Sequence, residues 1–243
     1  MLAEARVGTS GFSYREWVGT VYPTGLSEAQ TLALYASQLG AVEVQSRLPD
    51  EATLESWAEA APPGFEFALK VSGRIDVKAG RGAARAIGAL LEVAAPLERR
   101  LGPVLIQLPH SVTADRSALN DFLGAVPEGV RLAFELRHPS WHTESVLRVL
   151  SAHNAALVLA DYGAGPPRLE LTADFAYVRI RREDDSPEVW GQWAERLAAL
   201  TRRGVDVYAF LKHDRKGIAL ERARRLAMLL RAEDASSAHQ LLS

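Results

Sequence analysis

The feature that most constrains this chain is an alternation of two hydrophobic periods, repeated about eight times. Strand-like runs lie near 5–10, 41–46, 65–71, 103–108, 130–137, 156–161, 175–181 and 206–212. Helix-like runs follow most of them, at 27–39, 51–61, 81–101, 115–125, 143–153, 187–203 and 217–232. Their apolar residues recur at helical spacing, as in Ile87, Leu90, Leu91, Ala94 and Leu97. Alternating β and α units build a parallel sheet. A length of 243 residues suits one closed (β/α)₈ barrel of the TIM type, which takes about 250. We expect a single barrel domain over 1–233 and a poorly ordered tail over 234–243. The stretch 162–174 carries Gly163, Gly165, Pro166 and Pro167, so the helix after strand six is expected to be reduced or missing. An open doubly wound sheet is the competing architecture. It gathers its site at one switch point, whereas polar strand ends here are spread through the chain.

Strand parity says which residues would share the barrel interior. Successive strand residues point to opposite faces. In Leu132-Ala133-Phe134-Glu135-Leu136-Arg137-His138-Pro139, the apolar residues take one face and Glu135 and Arg137 the other; Pro139 ends the strand. The same reasoning turns Glu43 and Gln45, Lys70, Gln107, Arg179 and Arg181 with Tyr177, and Lys212 inward, and Asp161 is placed with them at the end of strand six. Helix-to-strand joints are short and stopped by Gly or Pro. The joint from Ser10 to Leu26 is long and carries Tyr14 and Trp17, as binding loops do. Sites in such barrels lie at the C-terminal face of the strands.

Bulk properties exclude several classes. With no cysteine there are no disulfides, thiolate nucleophiles or Cys-type metal sites. A net charge of −2 gives no global pull onto nucleic acid or anionic membrane. No apolar run approaches the roughly 18 residues of a membrane span, and a cytoplasmic protein is the default expectation.

Several stretches, in order, carry a family resemblance: Gly8-Thr9-Ser10-Gly11-Phe12-Ser13-Tyr14 with Tyr22-Pro23, Val42-Glu43, Phe67-Ala68-Leu69-Lys70, Gly102-Pro103-Val104-Leu105-Ile106-Gln107-Leu108-Pro109, Ala133 to Trp141, and Tyr177-Val178-Arg179. Over nearly its whole length the chain resembles the DUF72 (YecE-like) proteins, as a divergent member. The resemblance implies a TIM-type barrel and no particular activity. The family's Asn and Thr-Phe-Tyr element after Val42-Glu43 is replaced by Val44-Gln45-Ser46-Arg47-Leu48-Pro49. Arg181-Arg182 stand where a hydrophobe and His-Gly are usual, and Lys212-His213-Asp214 replace Asn-Asn-Asp. The last two changes add positive charge at the rim.

The chemistry these residues point to is acid/base work on a small anionic ligand, phosphorylated or carboxylated. Glu43, Lys70, Glu135, Arg137 and Asp161 are the candidate catalytic groups. Ser10, Tyr14, Gln107, His138, Trp141, Arg179, Arg181 and Lys212 are the candidate binding groups. Isomerase, lyase or hydrolase chemistry would each suit them. Lys70 is expected to sit protonated in a salt bridge to Glu43 or Glu135, with Schiff-base formation as its alternative. Cations around Arg179, Arg181, Arg182, Lys212, His213, Arg215 and Lys216 would hold the anion beside the helix opening at Gly217. No cofactor is implied. A divalent metal on Glu43, Glu135, His138 and Asp161 is not favoured, because no spacing fixes those ligands. The alternatives are a non-catalytic binding or scaffold protein with a degenerate site, or a nucleic-acid-associated protein. Oligomeric state is unreadable.

Overall fold

A computed structural model describes residues 3–44, 48–71, 75–163, 167, 169–183 and 185–241, apart from the side chains of Lys78, Arg81 and 234–241. Strands and helices alternate as β1 (Ala5–Thr9), α1 (Glu28–Ala36), β2 (Ala41–Val44), α2 (Glu51–Ala60), β3 (Glu66–Lys70), α3 (Arg81–Val93), β4 (Leu101–Leu108), α4 (Arg116–Leu123), β5 (Leu132–Leu136), α5 (Glu144–Ala152), β6 (Ala156–Leu157), β7 (Leu159–Asp161), β8 (Phe175–Ile180), α6 (Pro187–Thr201), β9 (Asp206–Leu211) and α7 (Ile218–Leu241). Gln45, expected to face inward, lies outside the described residues.

Helix starts follow their capping chemistry. Ser27 Oγ accepts from Gln30 N while Gln30 Oε1 accepts from Ser27 N, and Asp50 and Asp115 accept from Thr53 N and Ala118 N. The helix expected over 81–101 stops at Val93. A 3-10 stretch follows at Ala95–Arg100, where Pro96 has no N–H to give and Glu98 turns at φ 47°. Helix α7 runs to Leu241, eight residues past the expected domain end at 233. Among the described residues of 162–174 there is no helix. No helix among the described residues is long and apolar enough to cross a membrane.

Every strand pairing is parallel, yet the ladders form two sheets rather than the expected ring, ordered β1-β9-β8-β7 and β2-β3-β4-β5-β6. The sheets touch at both margins. Gly40 N donates to Val7 O at 3.1 Å, Gly11 N to Glu43 O at 2.8 Å, and Ser10 bridges Glu43. At the other margin the sixth expected strand divides at Val158, so that β6 pairs with β5 and β7 with β8. Gly8 permits the first approach, since a Cβ there would lie 1.9 Å from Ala41 O.

The outward residues, such as Val42, Phe67, Leu69, Val178 and Ile180, pack under the helices with Leu32, Leu54, Trp57, Trp190 and Trp193. The inward faces of the two sheets share a second core. There Ala41, Ala68, Ala133 and Ala156 of one sheet face Phe175, Tyr177, Tyr208 and Phe210 of the other. Small side chains opposite large ones fill the space at the density that interiors require. Below this layer, at the strands' N-terminal ends, Glu66 pairs with Arg6 at 3.0 Å and Arg131 at 2.7 Å and accepts from Tyr208. Sequence reasoning missed this polar floor, although Glu66 shares parity with Lys70.

Candidate functional site

The C-terminal ends of the strands are organised around Arg179, one of the most deeply buried side chains of the chain. The inward parity of β8 carries it above Tyr177. Its Nη2 reaches Glu43 Oε1 at 2.7 Å, and its Nη1 bonds Glu135 Oε2. The two carboxylates are otherwise filled. Glu43 accepts from Ser10 Oγ at 3.0 Å and Tyr177 OH at 2.8 Å. Glu135 accepts from Arg137 Nε at 2.9 Å and Tyr162 OH at 2.7 Å. Burial opposes ionisation of Glu135, but the charge of Arg179 and the hydrogen bonds from Tyr162, Arg179 and Arg137 outweigh it, so its pKa falls to about 2.

A row of cations stands beyond this layer. Lys70 lies one pleat repeat past Ala68, the register partner of Glu43. Arg181 and Lys212 lie one repeat past Arg179 and its partner Phe210. The salt bridge expected for Lys70 is not formed: among the described residues it has no ion-pair partner. Arg179 has taken the carboxylates instead, because a guanidinium fork can serve two at once and an ammonium is a point charge. Arg181 likewise has no ion-pair partner among the described residues. Burial, then the neighbouring Arg179, pushes both Lys70 and Arg181 below their ordinary ranges. Gln107, the register partner of Glu135, keeps a buried Nε2 without an acceptor among the described residues.

The structure thus brings together Ser10, Glu43, Lys70, Gln107, Glu135, Arg137, Arg179 and Arg181, with Lys212 exposed at the rim. Tyr14 sits at the edge. Its hydroxyl donates to Ser10 O and its ring stacks on His213 at 3.5 Å, with burial and the nearby Glu43 and Glu16 pushing its pKa up to about 12. Three candidates lie elsewhere. Asp161 shares parity with Leu159 and points under α6, where it accepts from Trp193 Nε1 at 3.0 Å, Arg182 at 3.2 Å and Gly163 N at 2.8 Å. Trp141 is fully buried and donates to Val112 O. His138 caps the Pro139–Trp141 turn, accepting from Ser140 N at 3.1 Å through Nδ1.

The anion seat expected at the start of α7 is filled from within the chain. Asp214 accepts from the backbone N–H groups of Lys216, Ile218 and Ala219. Among the described residues no three His, Asp or Glu side chains are grouped to hold a metal ion. Sequence reasoning passed over Tyr162, the residue that follows β7. A cavity of about 700 Å³ opens there, lined by Glu135, Arg137 and Tyr162 and by the apolar Leu136, Leu147 and Leu157.

These features define a parallel α/β protein with a cation-rich polar centre at its strand C-termini. A family model described as "Protein of unknown function DUF72" matches residues 6–241, and the chain belongs to that family. A DUF72 family protein of Thermotoga maritima is similar in structure at a TM-score of 0.78 and 27% identity, over 93% of this chain and 99% of that one. One from Enterococcus faecalis is similar at a TM-score of 0.71 and 19% identity, over 94% and 96%. None of the curated proteins matches the chain.

Proposed function

We propose that the two sheets are halves of one TIM-type barrel, and that its C-terminal mouth binds a small anionic metabolite bearing a phosphate or carboxylate. The sheets' contacts at both margins and their shared inner core support the barrel. The observation that carries the ligand is the unpaired state of Lys70 and Arg181. Glu43 and Glu135 are shared with Arg179 and Arg137, so the partly buried Lys70 and Arg181 beside them leave a net positive field with no ion-pair partner of their own among the described residues. An anion supplies that charge, and Gln107 Nε2 adds a donor. Glu43 and Glu135 hold Arg179 in this reading. Glu135 is too acidic, and too fully hydrogen-bonded, to take up protons near neutrality.

Thermal-shift titration with inorganic phosphate and with phosphorylated and carboxylated metabolites tests the proposal, since a ligand of the folded state raises Tm. The Lys70→Met and Arg181→Met variants keep side-chain bulk and should lose most of the shift. Absence of any anion-dependent shift, or an undiminished shift in both variants, would overturn it.

A further inference from the structure

The geometry points to Lys70 as a nucleophile that forms an imine with a carbonyl compound carrying the anionic group. The inference rests on the anion-binding reading above and names the substrate class within it. An amine needs three things for this step: an unprotonated nitrogen, an opening toward the ligand and a means of orienting the carbonyl.

The carboxylates that would hold Lys70 as an ammonium are already engaged. Glu43 accepts from Ser10, Tyr177 and Arg179, and Glu135 from Arg137, Tyr162 and Arg179. Its cationic neighbours Arg179 and Arg181 are guanidinium groups, which do not shed their protons in proteins. Unlike these two guanidinium groups, the ammonium of Lys70 can relieve the repulsion by losing a proton, and Arg181 then keeps the positive charge that holds the anionic group. Burial, the largest influence, and the charge of Arg179 push its pKa down, and Arg181 adds to the fall; Glu43 and Glu135 oppose them. The position also fits. Lys70 is the last residue of β3, on its inward parity and partly exposed, with Arg181 and Gln107 Nε2 as donors for the anionic end of a ligand.

The step balances without an outside oxidant or reductant. The Lys70 Nζ lone pair adds to the carbonyl carbon as the carbonyl π pair moves to oxygen, and one proton passes from Nζ to that oxygen through solvent to give a carbinolamine. A proton from solvent joins the hydroxyl, which leaves as water while the nitrogen lone pair forms the C=N bond of a protonated iminium. The resulting iminium draws electrons from the adjacent carbon, as lyase or isomerase chemistry beside a carbonyl requires.

The chain has four lysines, Lys70, Lys78, Lys212 and Lys216, so selective labelling is simple to read. The intact protein is incubated near neutral pH with pyruvate or dihydroxyacetone phosphate, reduced with sodium borohydride and mapped by peptide mass spectrometry. Lys70 should be alkylated at least about tenfold faster than the other lysines, as expected of an oriented amine. Arg181→Met should slow trapping of both anionic probes more than it slows trapping of acetaldehyde, because it removes the donor for the anionic group as well as one of the charges that lower the Lys70 pKa. Equal labelling of all four lysines, or Lys70 labelled last, overturns the inference. If phosphate still raises Tm through Arg181 while Lys70 is not trapped, the imine falls and the anion site stands. If Lys70 traps acetaldehyde and pyruvate equally and phosphate gives no shift, the anionic substrate class falls with the anion site.

Discussion

Arg179 Nη2 lies 2.7 Å from Glu43 Oε1, joining residues 136 apart in sequence and strands of different sheets. Through its other terminal nitrogen the same guanidinium reaches Glu135 on β5. This buried brace closes the polar end of the inner core, above the layer where alanines face aromatic rings. It also leaves Lys70 without a carboxylate. The brace therefore decides both the stability of this end of the molecule and the charge of its mouth.

Replacing Arg179 by Met should cost about 3–5 kcal/mol, because two buried carboxylates lose their counter-charge. Urea unfolding at pH 7 measures it. A cost under about 1 kcal/mol, the range of exposed ion pairs, would show that the brace is not dry.

Stability should fall in acid through Glu135. Its folded pKa of about 2 lies below the ordinary value of 4.5, so its contribution is complete above about 4.5 and is lost as pH drops toward 2. The expected loss is on the order of 3 kcal/mol. Urea midpoints between pH 5 and pH 2 should decline less steeply in Glu135→Gln than in the parent chain.

Gly8→Ala should be severely destabilising or prevent folding, since its Cβ would lie 1.9 Å from Ala41 O and force β1 off β2. Gly88→Ala, inside α3 with no atom within 4 Å of the added Cβ, should instead gain up to about 1 kcal/mol. The Tm values of the two variants should move in opposite directions.

Asp161→Asn and Trp141→Phe should lower stability without weakening anion binding. Asp161 is spent on Gly163, Arg182 and Trp193, and Trp141 on Val112 O inside the core. A cost of about 1–3 kcal/mol is expected for each. Loss of the phosphate-dependent Tm shift in either variant would return that residue to the ligand site.

Much of the scaffold was legible in the chain because hydrophobic period, capping and Gly/Pro stops are local. Alternation along Phe134-Glu135-Leu136-Arg137 placed the two charges inward, and it did the same for Glu43, Lys70, Gln107, Arg179 and Arg181. Glycines and prolines after Asp161 marked the segment without a described helix. Parity even contained the answer for Asp161, which shares the outward face of Leu157 and Leu159. Pairing among the charges was not legible. Glu43, Glu135 and Arg179 come from three strands, and only their meeting in space decides that a forked guanidinium, rather than the ammonium of Lys70, occupies both carboxylates. Local sequence determines which face a side chain joins; distance across the core determines which partner neutralises it, because Coulomb attraction and desolvation depend on position in three dimensions.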